Sequence, residues 1–239
     1  MNKEEEFISD ALAFRLLEHF RFSFVVRGLQ TTLGGRSMEF DVLGVRVDED
    51  GAVQSVESFE TKLKTAKNSR RKILREQLEK RRELGCFDRL WAVWDNASKK
   101  ASSNLPGCGT LYVSMKGDLV SIARVESGER FQRSGSPDVP HIMRLLRRLA
   151  SEFAKNPKRP CVYLPCLGCP PKTPNFYPFT LEMRNEYPDV GTTLKRHAWF
   201  CPESERNVKA VGAHSLKAEV FRDSEWVASS AYTRRDLLE

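Results

Sequence analysis

The sequence contains no long hydrophobic run. Nothing in its 239 residues approaches the roughly 18–20 consecutive apolar residues that a membrane-spanning helix needs. It also contains no glycine-rich phosphate loop, no internal repeat and no low-complexity tract. The opening MNKEEEF is acidic and lacks the basic-then-apolar order of a secretory signal. These absences argue against a membrane protein, a P-loop nucleotide-binding protein and an exported protein, and we expect a cytoplasmic one.

The composition is that of an ordinary globular protein with an excess of positive charge. Apolar residues make up 40% and charged residues 30%, and the chain is long enough to bury a core. The formal net charge is +7. Such an excess favours a polyanionic partner, because neutralising phosphates releases condensed counterions. We therefore expect nucleic acid as the partner, although many basic proteins bind none.

The spacing of apolar residues predicts a mixture of helices and strands. Apolar side chains recur at helical spacing over 4–20, and the run 22–28 is typical of a strand, while 31–37 is turn-like. The other predicted elements are strands at 38–47 and 53–64, a charged helix at 69–84, a strand at 89–94, a hairpin at 109–125 and a helix at 137–154. This order predicts an α/β fold with a central mixed β-sheet flanked by helices.

The predicted hairpin at 38–64 contains acids inside otherwise apolar strands. Side chains alternate along a strand, so Glu60 and Lys62 share one face and Thr61 lies on the other. If the two strands pair, Asp41 and Glu60 converge to metal-bridging distance. Two carboxylates and the backbone carbonyl of Thr61 suit Mg²⁺ or Mn²⁺, and Lys62 can orient a metal-bound water or stabilise charge on a phosphoryl group.

A simpler interpretation is that Glu60 and Lys62 belong to an ordinary solvated strand face and that Asp41 is a strand-edge charge. The apolar surroundings of Asp41 and Glu60 weigh against it, because an unpaired charge is costly to bury.

The run FD at 40–41, followed after 18 residues by ETK at 60–62, resembles the PD-(D/E)xK superfamily of restriction-endonuclease-like nucleases. The resemblance implies that Asp41 and Glu60 hold the metal and that Lys62 is the family's lysine. Phe40 stands where the family pattern has proline. The likeness extends over residues 4 to about 125.

Two further site positions follow from this resemblance. The helix before the hairpin often donates another acid, here Glu6 or Asp10, and the similarity of LLEHFRFSFVV to archaeal Holliday-junction resolvases favours Asp10. An acidic first helical turn is also favoured by the helix dipole alone. Many members carry a glutamine on the next helix. Gln77 is positioned for that role on an apolar stripe with Ile73, Leu74 and Leu78, unless it is a satisfied core amide.

The resemblance implies a restriction-endonuclease-like core over 1–135 that acts as a Mg²⁺-dependent DNA endonuclease. The basic helices at 69–84 and 137–154 would bind the DNA backbone. A homodimer or larger nucleoprotein assembly would supply two sites for two cuts. The alternative function is a catalytically inactive nuclease-fold protein that binds DNA or organises an assembly.

Four of the six cysteines fall in the last third of the chain. Cys166 and Cys169 form a C-x₂-C pair, and His197 and Cys201 form H-x₃-C. These four match a structural Zn²⁺ site, with Cys161 as a substitute ligand. An all-cysteine set would suit an iron–sulfur cluster; in related nucleases one cluster cysteine precedes the nuclease motifs, and none does here. Ordinary reduced cysteines remain the third interpretation.

These cysteines define the last part of the predicted domain organisation. A basic amphipathic helix and linker at 136–159 would connect the core to a zinc-binding module at 160–239. If that module dominated, the protein would be a metal-sensing or zinc-scaffold protein.

Overall fold

The computed structural model of the protein describes most of the first two-thirds of the chain and short segments of the rest. The described ranges are 3–33, 36–62, 68–95, 106–116, 119–133, 140–155, 161–165, 176–180, 197–201, 206–210, 216–222 and 225–232. Within them, the helices are α1 (Lys3–Phe20), α2 (Asn68–Glu83) and α3 (Pro140–Ala154). None of these helices is long and apolar enough to cross a membrane.

Eight strands form one mixed sheet in the order β6-β5-β4-β3-β2-β1-β7-β8. Their bounds are β1 (Phe24–Leu33), β2 (Arg36–Val47), β3 (Val53–Lys62), β4 (Arg89–Asp95), β5 (Gly109–Lys116), β6 (Leu119–Glu126), β7 (Cys161–Pro165) and β8 (Phe176–Thr180). β4 pairs in parallel with β3 and β5, and β1 in parallel with β7, whereas the other neighbours are antiparallel. The predicted α/β class with a central mixed sheet is confirmed.

The helices cover both faces of the sheet and create two apolar layers. On one face, α1 buries Ile8, Leu12 and Leu16 in a layer that also contains Phe59 and Trp91, whose rings stack with their centroids 5.7 Å apart. On the other face, α2 and α3 pack against a second set of strand side chains. Strands that are covered on both faces have nearly continuous apolar sequences, and this explains why β4 is almost entirely apolar.

The first hairpin is longer than the sequence indicates. β1 and β2 pair through Thr31 with Met38 and continue to Leu33 with Arg36, so the turn-like interpretation of 31–37 is wrong for most of that segment. The pattern misled because threonine and serine are common in turns, yet β-branched threonine is also favoured in strands.

Helix α2 buries two of the three apolar residues predicted for its stripe and leaves the third exposed. Ile73 is 48% exposed, whereas Leu74 and Leu78 are buried. The buried stripe runs through positions 74, 77, 78 and 81, which is the i, i+3, i+4, i+7 pattern of one helix face. Ile73 lies about 100° from Leu74 around the helix axis, on the side away from Leu78, which places it at the edge of this stripe. α2 ends at Glu83, and Gly85, two residues later, has a φ of 63°, in the left-handed region that is common just after a helix.

The segment after α3 contributes two strands to the main sheet. β7 runs parallel to β1, with Val25 opposite Val162, and β8 adds antiparallel to β7. Both strands lie beyond the predicted boundary at residue 160. Farther on, β9 (His197–Cys201) pairs with β10 (Arg206–Ala210), and β11 (Leu216–Arg222) pairs with β12 (Glu225–Tyr232).

Candidate active site

The register between β2 and β3 brings the two predicted metal ligands together. Val42 lies opposite Phe59 in this antiparallel pair, and Asp41 and Glu60 are the next residues toward the same end of the two strands. Oδ2 of Asp41 accepts a hydrogen bond from the backbone N–H of Thr61 at 2.8 Å. This bond orients the Asp41 carboxylate across the strand from Glu60.

A cavity of about 230 Å³ opens where β2 and β3 face α2. Its lining residues are Met38, Glu39, Asp41, Glu60, Lys62, Gln77, Lys80 and Arg81. We call it the carboxylate cavity. Asp41, Glu60, Lys62 and Gln77, all predicted as site residues from the sequence, meet around it.

Glu60 is a buried acid of the carboxylate cavity with a raised pKa. Only 1% of it is exposed, and this burial raises its pKa from 4.5 to about 7. The Arg81 guanidinium opposes the rise, the Asp41 carboxylate adds to it, and the Lys62 ammonium opposes it again. The Lys62 Nζ lies 3.4 Å from Oε1 of Glu60. Two buried carboxylates side by side favour a bound cation.

Arg81 is a site residue that the sequence reasoning missed. It is 2% exposed, its Nη2 contacts Oε2 of Glu60, and it donates a 2.7 Å hydrogen bond to the backbone carbonyl of Glu39. Its Cζ lies 5.1 Å from the centroid of the Phe40 ring. The available signal was helical spacing, because position 81 is seven residues after Leu74 and falls on the same stripe.

Gln77 reaches the carboxylate cavity from the preceding turn of α2. Its Oε1 is buried and accepts no hydrogen bond from the residues that the structure describes. A satisfied core amide would have a donor at this atom. The unpaired oxygen makes Gln77 available to a ligand inside the cavity.

Helix α1 packs against the opposite face of β3, beside Thr61. The Ser9 hydroxyl lies 3.0 Å from Oγ1 of Thr61, and it donates a 2.8 Å hydrogen bond to the Glu5 carbonyl. The side chains of Glu6 and Asp10 lie outside the described part of the structure, so their predicted role is not located. Glu5, on the same helix, is described and is 7% exposed.

The donor set of the carboxylate cavity fits a hard divalent cation. Within the described ranges, no group of three or more His, Cys, Asp or Glu side chains is placed to hold a metal. Asp41 and Glu60 alone are compatible with Mg²⁺, which is commonly held by one or two carboxylates and keeps several waters. The unpaired amide oxygen of Gln77 is a further oxygen that can accept a bond from such a water.

The predicted zinc ligands are located only in part. Cys166 and Cys169 lie outside the described residues, and His197 and Cys201 are the ends of β9, whose side chains are likewise not described. Cys161 is buried in the apolar layer beneath α3, and burial raises the pKa of its thiol to about 12. That environment favours the neutral thiol, whereas a metal ligand is a thiolate.

Comparison of the chain with protein-family models, with curated proteins and with solved structures found no match.

Proposed function

We propose that the protein is a Mg²⁺-dependent nuclease of the PD-(D/E)xK type that hydrolyses phosphodiester bonds in DNA. The observation that carries the proposal is the meeting of Asp41 and Glu60, from neighbouring strands, in one cavity with Lys62 beside them. The described element order α1-β1-β2-β3-α2-β4 places the FD and ETK motifs on the two neighbouring strands β2 and β3, between two helices.

Each residue of the cavity has a defined task in this proposal. Asp41, Glu60 and the Thr61 carbonyl would hold Mg²⁺, which when bound polarises a phosphoryl oxygen and lowers the pKa of a coordinated water. The Thr61 N–H keeps the Asp41 carboxylate oriented. Lys62 donates a hydrogen bond to the attacking water or to the charge that develops on the phosphate.

The cavity charges are suited to a phosphodiester. Three acidic residues (Glu39, Asp41, Glu60) and three basic residues (Lys62, Lys80, Arg81) line the cavity, so their formal charges sum to zero. One divalent cation would raise this sum to +2 and favour an anion. The exposed arginines of α3, at positions 144, 147 and 148, add basic surface that can contact the DNA backbone without reading sequence.

Cleavage of plasmid and branched DNA with Mg²⁺ or Mn²⁺ tests the proposal. We expect Lys62→Ala to lose at least about 100-fold in rate, as removal of one charge-stabilising donor does. Lys155→Ala is the matched control, because Lys155 is exposed, follows the last residue of α3 and does not line the carboxylate cavity. Cleavage that persists unchanged in Lys62→Ala would refute the assignment.

The contact between Arg81 and Glu60 favours a second candidate, a nuclease-fold protein that binds DNA without cutting. A buried guanidinium already pairs with one of the two carboxylates that would hold the metal. This candidate predicts DNA binding with no cleavage by the wild-type protein and no rise in its melting temperature on addition of Mg²⁺ or Mn²⁺.

A further inference from the structure

Arg81 also lines a second cavity. It measures about 190 Å³ and is lined by Arg81, Arg82, Gly85, Phe87, Leu90, Phe131 and Gln132. We call it the aromatic cavity. Arg81 lines both cavities, so a ligand in the aromatic cavity lies next to whatever occupies the carboxylate cavity.

The aromatic cavity combines flat apolar walls with positive charge. Phe87 and Leu90 are buried, whereas the Phe131 ring is half-buried. The Arg82 Cζ lies 5.2 Å from the centroid of that ring. Aromatic faces together with guanidinium groups are the usual means of binding nucleobases, because every base has a π face and a neighbouring phosphate.

Arg81, which lines the aromatic cavity, has two nitrogen atoms without a hydrogen-bond acceptor among the described residues. Its Nε and Nη1 are buried and donate no hydrogen bond to the described residues, while Nη2 is engaged by Glu39 and Glu60. Buried donors without acceptors are rare and unfavourable in folded proteins. A phosphate oxygen at the junction of the two cavities would supply the missing acceptor.

We propose that the aromatic cavity binds the base of the nucleotide that adjoins the scissile phosphate, and that Arg81 holds a phosphate oxygen between the two cavities. The proposal rests on the proposed function. The volume of the aromatic cavity is smaller than the roughly 300 Å³ at which sites for drug-sized ligands begin. It therefore accommodates one ring system and not a dinucleotide cofactor. The base would stack on Phe131, and Gln132, which also lines the cavity, would contact its edge.

Binding of three small probes tests the base site without cleavage. Deoxyadenosine 5′-monophosphate, deoxyadenosine and inorganic phosphate are titrated against the full chain in EDTA, and binding is followed by ligand-observed NMR. We expect the nucleotide to bind at least about fivefold more tightly than phosphate, since stacking of a base on one aromatic side chain contributes at least that much. Phe131→Leu should remove this preference and leave phosphate binding unchanged.

The matched control is Phe153→Leu, the same substitution at another half-buried phenylalanine. Its ring packs on Phe24, 5.9 Å away between centroids, and does not line either cavity. It should retain the wild-type preference for the nucleotide. Equal binding of nucleotide and phosphate by the wild type, or an unchanged preference in Phe131→Leu, would overturn the proposal.

The binding and cleavage results separate the two proposals. A nucleotide preference that depends on Phe131, in a wild-type protein that does not cleave DNA, would support the base site and refute the nuclease. Cleavage that depends on Lys62, without any nucleotide preference, would support the nuclease and refute the base site.

Discussion

Nη2 of Arg81 contacts Oε2 of Glu60, and the two side chains are 2% and 1% exposed. A buried charge is tolerated when a partner compensates it. Each therefore depends on the other when no metal is bound. The contact also couples the stability of the core to the chemistry of the carboxylate cavity.

Replacement of Arg81 should destabilise the protein in a pH-dependent way. Glu60 has a folded pKa of about 7, above its ordinary 4.5. Its neutral form is therefore favoured by folding, and the resulting stability is present below pH 4.5 and lost as the pH rises through 7. Arg81 opposes this rise in pKa. Arg81→Gln should therefore raise the pKa further and reduce the free energy of unfolding most at alkaline pH, by on the order of 3 kcal/mol at pH 8.

At pH 5 the same variant should lose little stability, because Glu60 is then protonated and needs no counter-ion. Urea denaturation at both pH values measures the difference. The double variant Arg81→Gln with Glu60→Gln is the control, since it removes both charges and should show no such pH dependence. A penalty of equal size at pH 5 and pH 8 would rule out the electrostatic explanation.

Metal affinity should fall as the pH drops below 7. A carboxylate must be ionised to ligate a cation. With a pKa of about 7, Glu60 is roughly nine-tenths ionised at pH 8 and one-tenth ionised at pH 6, so the apparent affinity for Mn²⁺ should fall about tenfold over that interval. Titration of Mn²⁺ by electron paramagnetic resonance provides the measurement. Glu60→Gln should bind weakly at both values, and a wild-type affinity that is constant from pH 6 to 8 would contradict the expectation.

The hairpin with its acids was predictable because its determinants are local. Alternation puts Glu60 and Lys62 on one face, and the antiparallel pairing that places Val42 opposite Phe59 in the core also brings Asp41 toward Glu60. No tertiary information is needed for that step. The order of helices and strands followed from the same kind of periodic pattern.

Arg81 and Ile73 show where local pattern fails. Helix α2 has adjacent apolar residues at 73 and 74, and by sequence either of them can be the first residue of the buried stripe. The packing of α2 on β3 and β4 decides in favour of Leu74, and that choice also buries Arg81. The pairing of β7 with β1 is likewise non-local, because a parallel neighbour requires a long crossover.

A stability prediction concerns Asp88, at the entry to β4. Its Oδ2 accepts the backbone N–H of Val56 at 2.8 Å, and its own N–H donates to the Val56 carbonyl at 2.7 Å. Arg133 Nε lies 3.4 Å from the same carboxylate. Asp88→Ala leaves the Val56 N–H without its acceptor, and we expect the free energy of unfolding to fall by about 2 kcal/mol.

Chemical denaturation of Asp88→Ala and of Asp50→Ala provides the comparison. Asp50 is exposed in the turn between β2 and β3, where most substitutions change stability by less than about 0.5 kcal/mol. The affinity of Asp88→Ala for Mn²⁺ should equal that of the wild type, because Asp88 does not line the carboxylate cavity. Equal stabilities of the two variants would show that the Asp88 bonds contribute nothing net.

Gln77→Leu distinguishes a ligand-facing amide from a structural one. Leucine has similar bulk and removes the buried oxygen that accepts no hydrogen bond from the described residues. The melting temperature should therefore stay the same or rise, because an unsatisfied acceptor is lost from the interior. The cleavage rate should fall roughly 10- to 100-fold if the amide orients water or phosphate in the carboxylate cavity.

Leu78→Ala is the contrasting control: Leu78 is 1% exposed in the apolar layer, so that change should lower stability by about 3 kcal/mol and leave the rate of the folded fraction intact. A Gln77→Leu protein with a lower melting temperature than the wild type and the wild-type cleavage rate would mean that the amide stabilises the core and does not act in the site.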